Sequence, residues 1–172
     1  MKIISVHDSE HIKKVAALAN EIWRETYAGI VSDAQIEYML ANLQSAEAIK
    51  RYIEKDNHLY YLMQDDSGFV GYFAVQIQKD KMFLSKLYVR KESRRQGYAK
   101  KCIEFLFDMA QTQNCTEIYL TAAKGNIRAM DAYGKLGFKI VSEIKIDIGN
   151  GFFMDDYKMS LNVPRGTFKG NY

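Results

Sequence analysis

The chain has 172 residues, of which 48% are apolar and 26% charged, and its net charge is +3. This is ordinary globular composition, long enough for a full hydrophobic core and too short to divide comfortably into two. The small net charge, with no dense basic run outside residues 90–95, argues against a nucleic-acid binder. Two cysteines, Cys102 and Cys115, match neither a metal-ligand spacing nor a disulfide framework. No segment has the length of a membrane span or the pattern of a secretory leader, so a cytoplasmic protein is expected.

In chain order, residues 2–6 read as a first strand. Asp8 or Ser9 then caps a helix whose apolar positions Ile12, Val15, Ala16, Leu18, Ala19, Ile22 and Trp23 fall on one face, and Gly29 stops it. Ser32 and Ser45 open two further helices. Residues 58–64 and 69–78 read as a hairpin around Asp65-Asp66-Ser67-Gly68, and a second turn at Lys79-Asp80-Lys81 leads into a strand over 82–89. A helix with Ala99, Cys102, Ile103, Leu106, Met109 and Ala110 on its buried face follows. Then come a strand over 117–121, a helix over 126–136, and two strands (138–148 and 152–161) joined across Gly149-Asn150-Gly151. The expected fold is α/β (α+β), one domain over residues 1–163 with a mixed, mostly antiparallel seven-stranded sheet flanked by helices. Residues 164–172 read as a tail, poorly ordered or crossing onto a partner subunit.

The junction between the fourth strand and its helix carries the chemistry. Arg94-Arg95-Gln96-Gly97-Tyr98-Ala99 is a basic turn with a permissive glycine, opening directly onto a helix N-terminus. Unpaired N–H groups and the positive end of the helix dipole converge there, an arrangement that favours an anion. The Walker pattern and the dinucleotide fingerprint Gly-x-Gly-x-x-Gly are both missing. An ordinary solvated turn also fits these six residues.

The arrangement resembles the pyrophosphate signature Gln/Arg-x-x-Gly-x-Gly/Ala of the GNAT superfamily of N-acetyltransferases. Residues 126–138, with Asn126, Ala129, Tyr133, Gly137 and Phe138, resemble that superfamily's second signature, Asn-x-x-Ala-x-x-x-Tyr-x-x-x-Gly-Phe. The resemblance implies an acetyltransferase that uses acetyl-coenzyme A (acetyl-CoA). It places the diphosphate on the main chain of Arg94, Arg95, Gln96, Gly97, Tyr98 and Ala99, with Arg94 or Arg95 adding charge. It places Leu87, Tyr88 and Val89 along the pantetheine arm, with Asn126 and Ala129 also at the cofactor. It makes Tyr133 the group that protonates or hydrogen-bonds the leaving sulfur. Asn126, Ala129, Met130, Tyr133 and Leu136 also read simply as a capped helix with one packed face.

The base is open. Many superfamily members carry a glutamate on the fourth or fifth strand, whereas here residues 82–86 read Met-Phe-Leu-Ser-Lys. Glu25, Asp155 and Asp156 are the candidates, with a water chain as an alternative. The resemblance puts the variable N-terminal region, with Trp23, Glu25, Thr26, Tyr27 and Tyr38, near the acceptor; core packing explains the aromatics equally. Acidic residues including Asp156 would suit a cationic polyamine or diamine. Acetylation of a protein N-terminus or lysine, an aminoglycoside acceptor, and a non-catalytic acetyl-CoA sensor are alternatives. A homodimer through the terminal strand and tail is compatible with the sequence and not established by it.

Overall fold

The computed structural model describes residues 1–164; the expected C-terminal tail lies, apart from Pro164, outside the described residues. Thirteen elements follow one another: β1 (Lys2–Ser5), α1 (Ser9–Tyr27), α2 (Asp33–Leu43), α3 (Ala46–Glu54), β2 (His58–Asp65), β3 (Gly68–Gln78), β4 (Lys81–Val89), a 3-10 turn (Lys91–Ser93), α4 (Tyr98–Thr112), β5 (Glu117–Ala123), α5 (Ile127–Lys135), β6 (Lys139–Gly149) and β7 (Phe152–Asn162). The strands form one seven-stranded mixed sheet in the order β1-β2-β3-β4-β5-β7-β6. The described residues cluster into two compact units, residues 1–76 with 85–99, and residues 77–84 with 100–164.

In the first unit each helix begins where a short polar side chain can accept from a free N–H. Asp8 accepts from the His11 N–H at 2.9 Å, Ser32 from Gln35 at 3.2 Å and Ser45 from Ala48 at 3.2 Å. The stripe Ile12, Val15, Leu18, Ala19, Ile22 and Trp23 of α1 is buried, as its spacing requires. Strands β2 and β3 pair antiparallel from His58↔Gln76 to Asp65↔Gly68, with one register shift between Met63 and Gln64. Gly71 explains how closely β4 approaches β3. A Cβ there would sit 2.2 Å from the Tyr88 carbonyl oxygen and 3.0 Å from the Val89 Cα, so no larger residue fits without moving the backbone.

In the second unit β4 and β5 run parallel, in register from Lys81↔Glu117 to Phe83↔Tyr119. Lys81 closes this end on Glu117 at 2.6 Å, and the Ser160 hydroxyl donates to the same carboxylate at 2.7 Å. Strand β7 inserts between β5 and β6, antiparallel to both. Three successive residues at φ 94°, 53° and 77°, Gly149, Asn150 and Gly151, make the β6–β7 turn; the sequence Gly-Asn-Gly suits that left-handed run. Cys102, Ile103, Leu106, Phe107 and Ala110 form the buried face of α4.

The face of α5 read from its spacing, Ala129, Met130, Tyr133 and Leu136, is half-buried while the remaining residues of the helix are exposed; none of them is fully buried. Periodicity reports which residues share a face and says nothing of whether anything covers it. Cys115, in the turn before β5, is only 4% exposed, and burial raises its thiol pKa. Among the described residues no helix is long and apolar enough to cross a membrane.

Candidate active site

The basic turn joining β4 to α4 has the backbone form of an anion cradle. Arg95 and Gly97 stand in the left-handed region, at φ 62° and 81°. A Cβ on Gly97 would meet nothing within 4 Å, so the bend is open on that side. Among the turn and cap hydrogen bonds of the described residues, none is donated by the N–H of Arg95, Gln96, Gly97, Tyr98 or Ala99. Oriented, unengaged amides at a helix N-terminus suit a diphosphate. The residues present therefore fit the coenzyme.

The side chains around that turn brace it. Arg94 donates from Nε to the Val89 carbonyl at 3.0 Å, and its two terminal nitrogens grip both carboxylate oxygens of Glu25 on α1, at 3.0 and 2.5 Å. Its charge is thereby directed to α1. Arg95 is exposed, and the Gln96 amide donates to the Glu92 carbonyl at 3.2 Å. Tyr98, 8% exposed, donates its hydroxyl to Asp65 in the β2–β3 turn. Asp65 also accepts from the Ser67 N–H at 2.8 Å and the Ser67 hydroxyl at 2.6 Å; the bond from the Ser67 hydroxyl, then the one from Tyr98, then the Ser67 N–H hold its carboxyl below the usual range.

Leu87, Tyr88 and Val89 lie on β4 beyond Phe83, the last residue in the ladder with β5. The Tyr88 ring belongs to an aromatic cluster. It stacks on Tyr72 with ring centroids 5.5 Å apart and lies 5.2 Å from Trp23, and its hydroxyl is 2.9 Å from that of Tyr27. Trp23 and Tyr27 are 3% and 7% exposed, so as packed they are core residues of the first unit. Tyr38 is half-buried on α2, its carbonyl accepting from the Asn42 amide at 2.8 Å.

Lys86 went unnoticed in the sequence. Its ammonium donates to the Ser85 carbonyl at 3.1 Å and lies 5.9 Å from the centre of the Tyr52 ring, and none of its described contacts is a carboxylate. Burial lowers its pKa to about 8. The nearby His58 is also lowered, first by burial and then by Lys86. A lysine on a strand gives no periodic signal of this kind; only its partial burial does.

In the second unit Asn126 caps α5, its side-chain oxygen accepting from the Ala129 N–H at 3.2 Å, which leaves the amide NH2 for a ligand. Ala129 and Tyr133 are half-buried, and the Tyr133 ring packs edge-on against Phe138, 5.7 Å between centroids. The adjacent aspartates differ sharply. Asp155 is exposed and pairs at 2.8 Å with Lys124, which Glu143 also holds at 2.7 Å. Asp156 is 5% exposed, and its carboxyl is pushed up by burial, against the pull of a Thr121 hydrogen bond.

With this geometry in place, comparison with known proteins decides the family. The profile of the acetyltransferase (GNAT) family matches residues 15–138. The chain belongs to the GNAT family. It is similar to a spermidine N(1)-acetyltransferase of Thermoplasma acidophilum, 26% identical over 141 residues that cover 80% of this chain and 86% of the relative. Its fold is that of the PaiA N-acetyltransferase from the same organism, solved with coenzyme A (TM-score 0.77, 23% identity, 94% of this chain and 99% of the other). It also matches the fold of the Vibrio cholerae spermidine N-acetyltransferase solved with coenzyme A and spermine, at TM-score 0.67 and 16% identity, over 94% and 95% of the two chains. This GNAT protein is accordingly an acyltransferase that uses acetyl-CoA.

Proposed function

We propose that this GNAT enzyme transfers the acetyl group of acetyl-CoA to a primary amine of a small molecule, with polyamines and diamines as the acceptor class. The observation that carries this reading is the similarity to a spermidine acetyltransferase along four-fifths of the chain. A buried carboxylate suited to an ammonium group, Asp156, supports it.

When bound, acetyl-CoA supplies a thioester carbon open to attack by an amine. In the reading proposed here, the main-chain N–H groups from Arg95 to Ala99 hold the diphosphate; the φ of Arg95 and Gly97 aims them without further reorganisation. Main-chain groups of Leu87, Tyr88 and Val89 take the pantetheine arm, and one N–H there donates to the carbonyl oxygen as negative charge develops on it. The Asn126 amide and the Ala129 segment of α5 complete the cofactor contacts. Tyr133 gives its phenolic proton to the departing sulfur. Arg94 acts at one remove, through Glu25 and Val89, by fixing the turn.

The test is release of free CoA thiol with a panel of polyamines, diamines, amino acids, aminoglycosides and peptides. Turnover concentrated in the polyamines and diamines supports the proposal. Turnover confined to peptides makes the protein a protein acetyltransferase, and tight acetyl-CoA binding without turnover on any amine makes it a sensor.

A further inference from the structure

We propose that Asp156 is the catalytic base of this enzyme: its unpartnered oxygen binds the acceptor's ammonium group and takes the proton that frees the nitrogen to attack. The inference rests on the acetyl-transfer reading above.

Each of the other two candidate carboxylates already has a cation. Glu25 faces the Arg94 guanidinium with both oxygens, and Asp155 shares the Lys124 ammonium with Glu143. A carboxylate held in this way is a poorer proton acceptor, because protonation would forfeit the ion pair. Among the described residues Asp156 has no such partner. It lies on β7, paired on one side with Ala123 of β5 and on the other with Ile144 of β6. The residue is 95% buried, and Oδ1 has no hydrogen-bond partner. Thr121 bonds the carboxyl. Cross-strand partners share a face, so Asp156 and Ala123 are on the same side of the sheet. A buried, unpaired carboxylate oxygen is costly unless a ligand completes it.

The surrounding charges favour the assignment. Asp155 and Lys158 lie on the same strand, the latter with its ammonium 4.4 Å over the Tyr119 ring. Glu143 and Lys145 flank Ile144 on β6, and Lys124 follows β5. Asp155 raises the Asp156 carboxyl pKa in the same direction as burial does. The group is therefore a better base than an ordinary aspartate.

The proton ledger closes. The acceptor arrives as R–NH3+ and gives one proton to Asp156. The nitrogen lone pair then forms the C–N bond to the thioester carbon as the C–S bond breaks. The sulfur departs as the thiol with a proton from Tyr133, the second proton of the nitrogen restores the Tyr133 phenol through solvent, and Asp156 returns its own proton to solvent. The products are the amide, CoA thiol and one proton.

The test compares two acceptors in Asp156→Asn: a diamine, protonated at pH 7, and trifluoroethylamine, largely neutral there and in no need of a base. Turnover of the diamine should fall about 100-fold or more, with loss of the acid limb of its pH–rate profile, while trifluoroethylamine is acetylated at nearly the wild-type rate. Glu143→Gln should keep the wild-type ratio between the two. Equal loss on both acceptors, or loss on neither, overturns the assignment. Carbon-13 titration of the wild-type Asp156 carboxyl reads the same proton without turnover. An elevated pKa that falls on adding methylammonium supports the base; an ordinary pKa, or no response to the cation, overturns it. If wild type acetylates no amine at all, the acceptor reading fails, and the titration still decides Asp156.

Discussion

Arg94 and Glu25 are 69 positions apart and meet as a two-pronged ion pair, with Nη1 to Oε1 at 3.0 Å and Nη2 to Oε2 at 2.5 Å. Both side chains are less than one-third exposed. The residue that reads in sequence as part of an anion site thus ties that site's backbone to the end of α1. Removing either partner should loosen the turn. Arg94→Lys, which cannot make the planar fork, should cost about 1–2 kcal/mol in urea denaturation and raise the Kd for acetyl-CoA several-fold. Glu25→Gln discriminates between roles. If Arg94 braces the turn, calorimetry will show weaker coenzyme binding; if it serves the diphosphate directly, freeing it will strengthen binding.

Gly97→Ala should separate coenzyme affinity from stability. The methyl group meets nothing in the protein, so the stability change is limited to the left-handed backbone term, about 1–2 kcal/mol at φ 81°. The same methyl projects into the space that a diphosphate would enter. Acetyl-CoA affinity should fall at least tenfold, beyond what a thermal-melt shift of this size explains, and unchanged affinity would place the diphosphate elsewhere.

Lys86 makes stability depend on pH above neutrality. Its pKa in the folded chain is about 8, below the ordinary 10.5, so the folded state pays for holding the proton at pH 7 and that cost disappears as pH rises from about 8 to 10.5. Wild type should therefore gain stability across that window. Lys86→Met should be flat there and more stable at pH 7 by about 1–3 kcal/mol, with denaturant midpoints measured at pH 7 and pH 10. A variant less stable at pH 7 would mean that the ammonium has a favourable partner after all.

Tyr133→Phe keeps the ring that packs on Phe138 and removes only the hydroxyl. If the phenol protonates the departing sulfur, kcat should fall about 100-fold with little change in the Kd of acetyl-CoA. Losses of equal size in both, or no loss, would remove Tyr133 from the chemistry.

What could be read from the sequence was what the chain does locally. Asp8, Ser32, Ser45 and Asn126 cap their helices because a short oxygen-bearing side chain reaches an N–H three residues ahead, whatever the rest of the protein does. Gly149-Asn150-Gly151 turns for the same kind of reason, and so does the open bend at Gly97, both set by φ preferences over a few residues. The tertiary structure alone decided the rest. It placed β7 between β5 and β6, gave Arg94 to Glu25 instead of leaving it to an anion, left α5 without a buried residue, and buried Asp156 while its neighbour Asp155 stayed in solvent beside Lys124. Those outcomes depend on which distant surface covers each side chain. Burial and ion pairing act through space, and residue order carries no term for them.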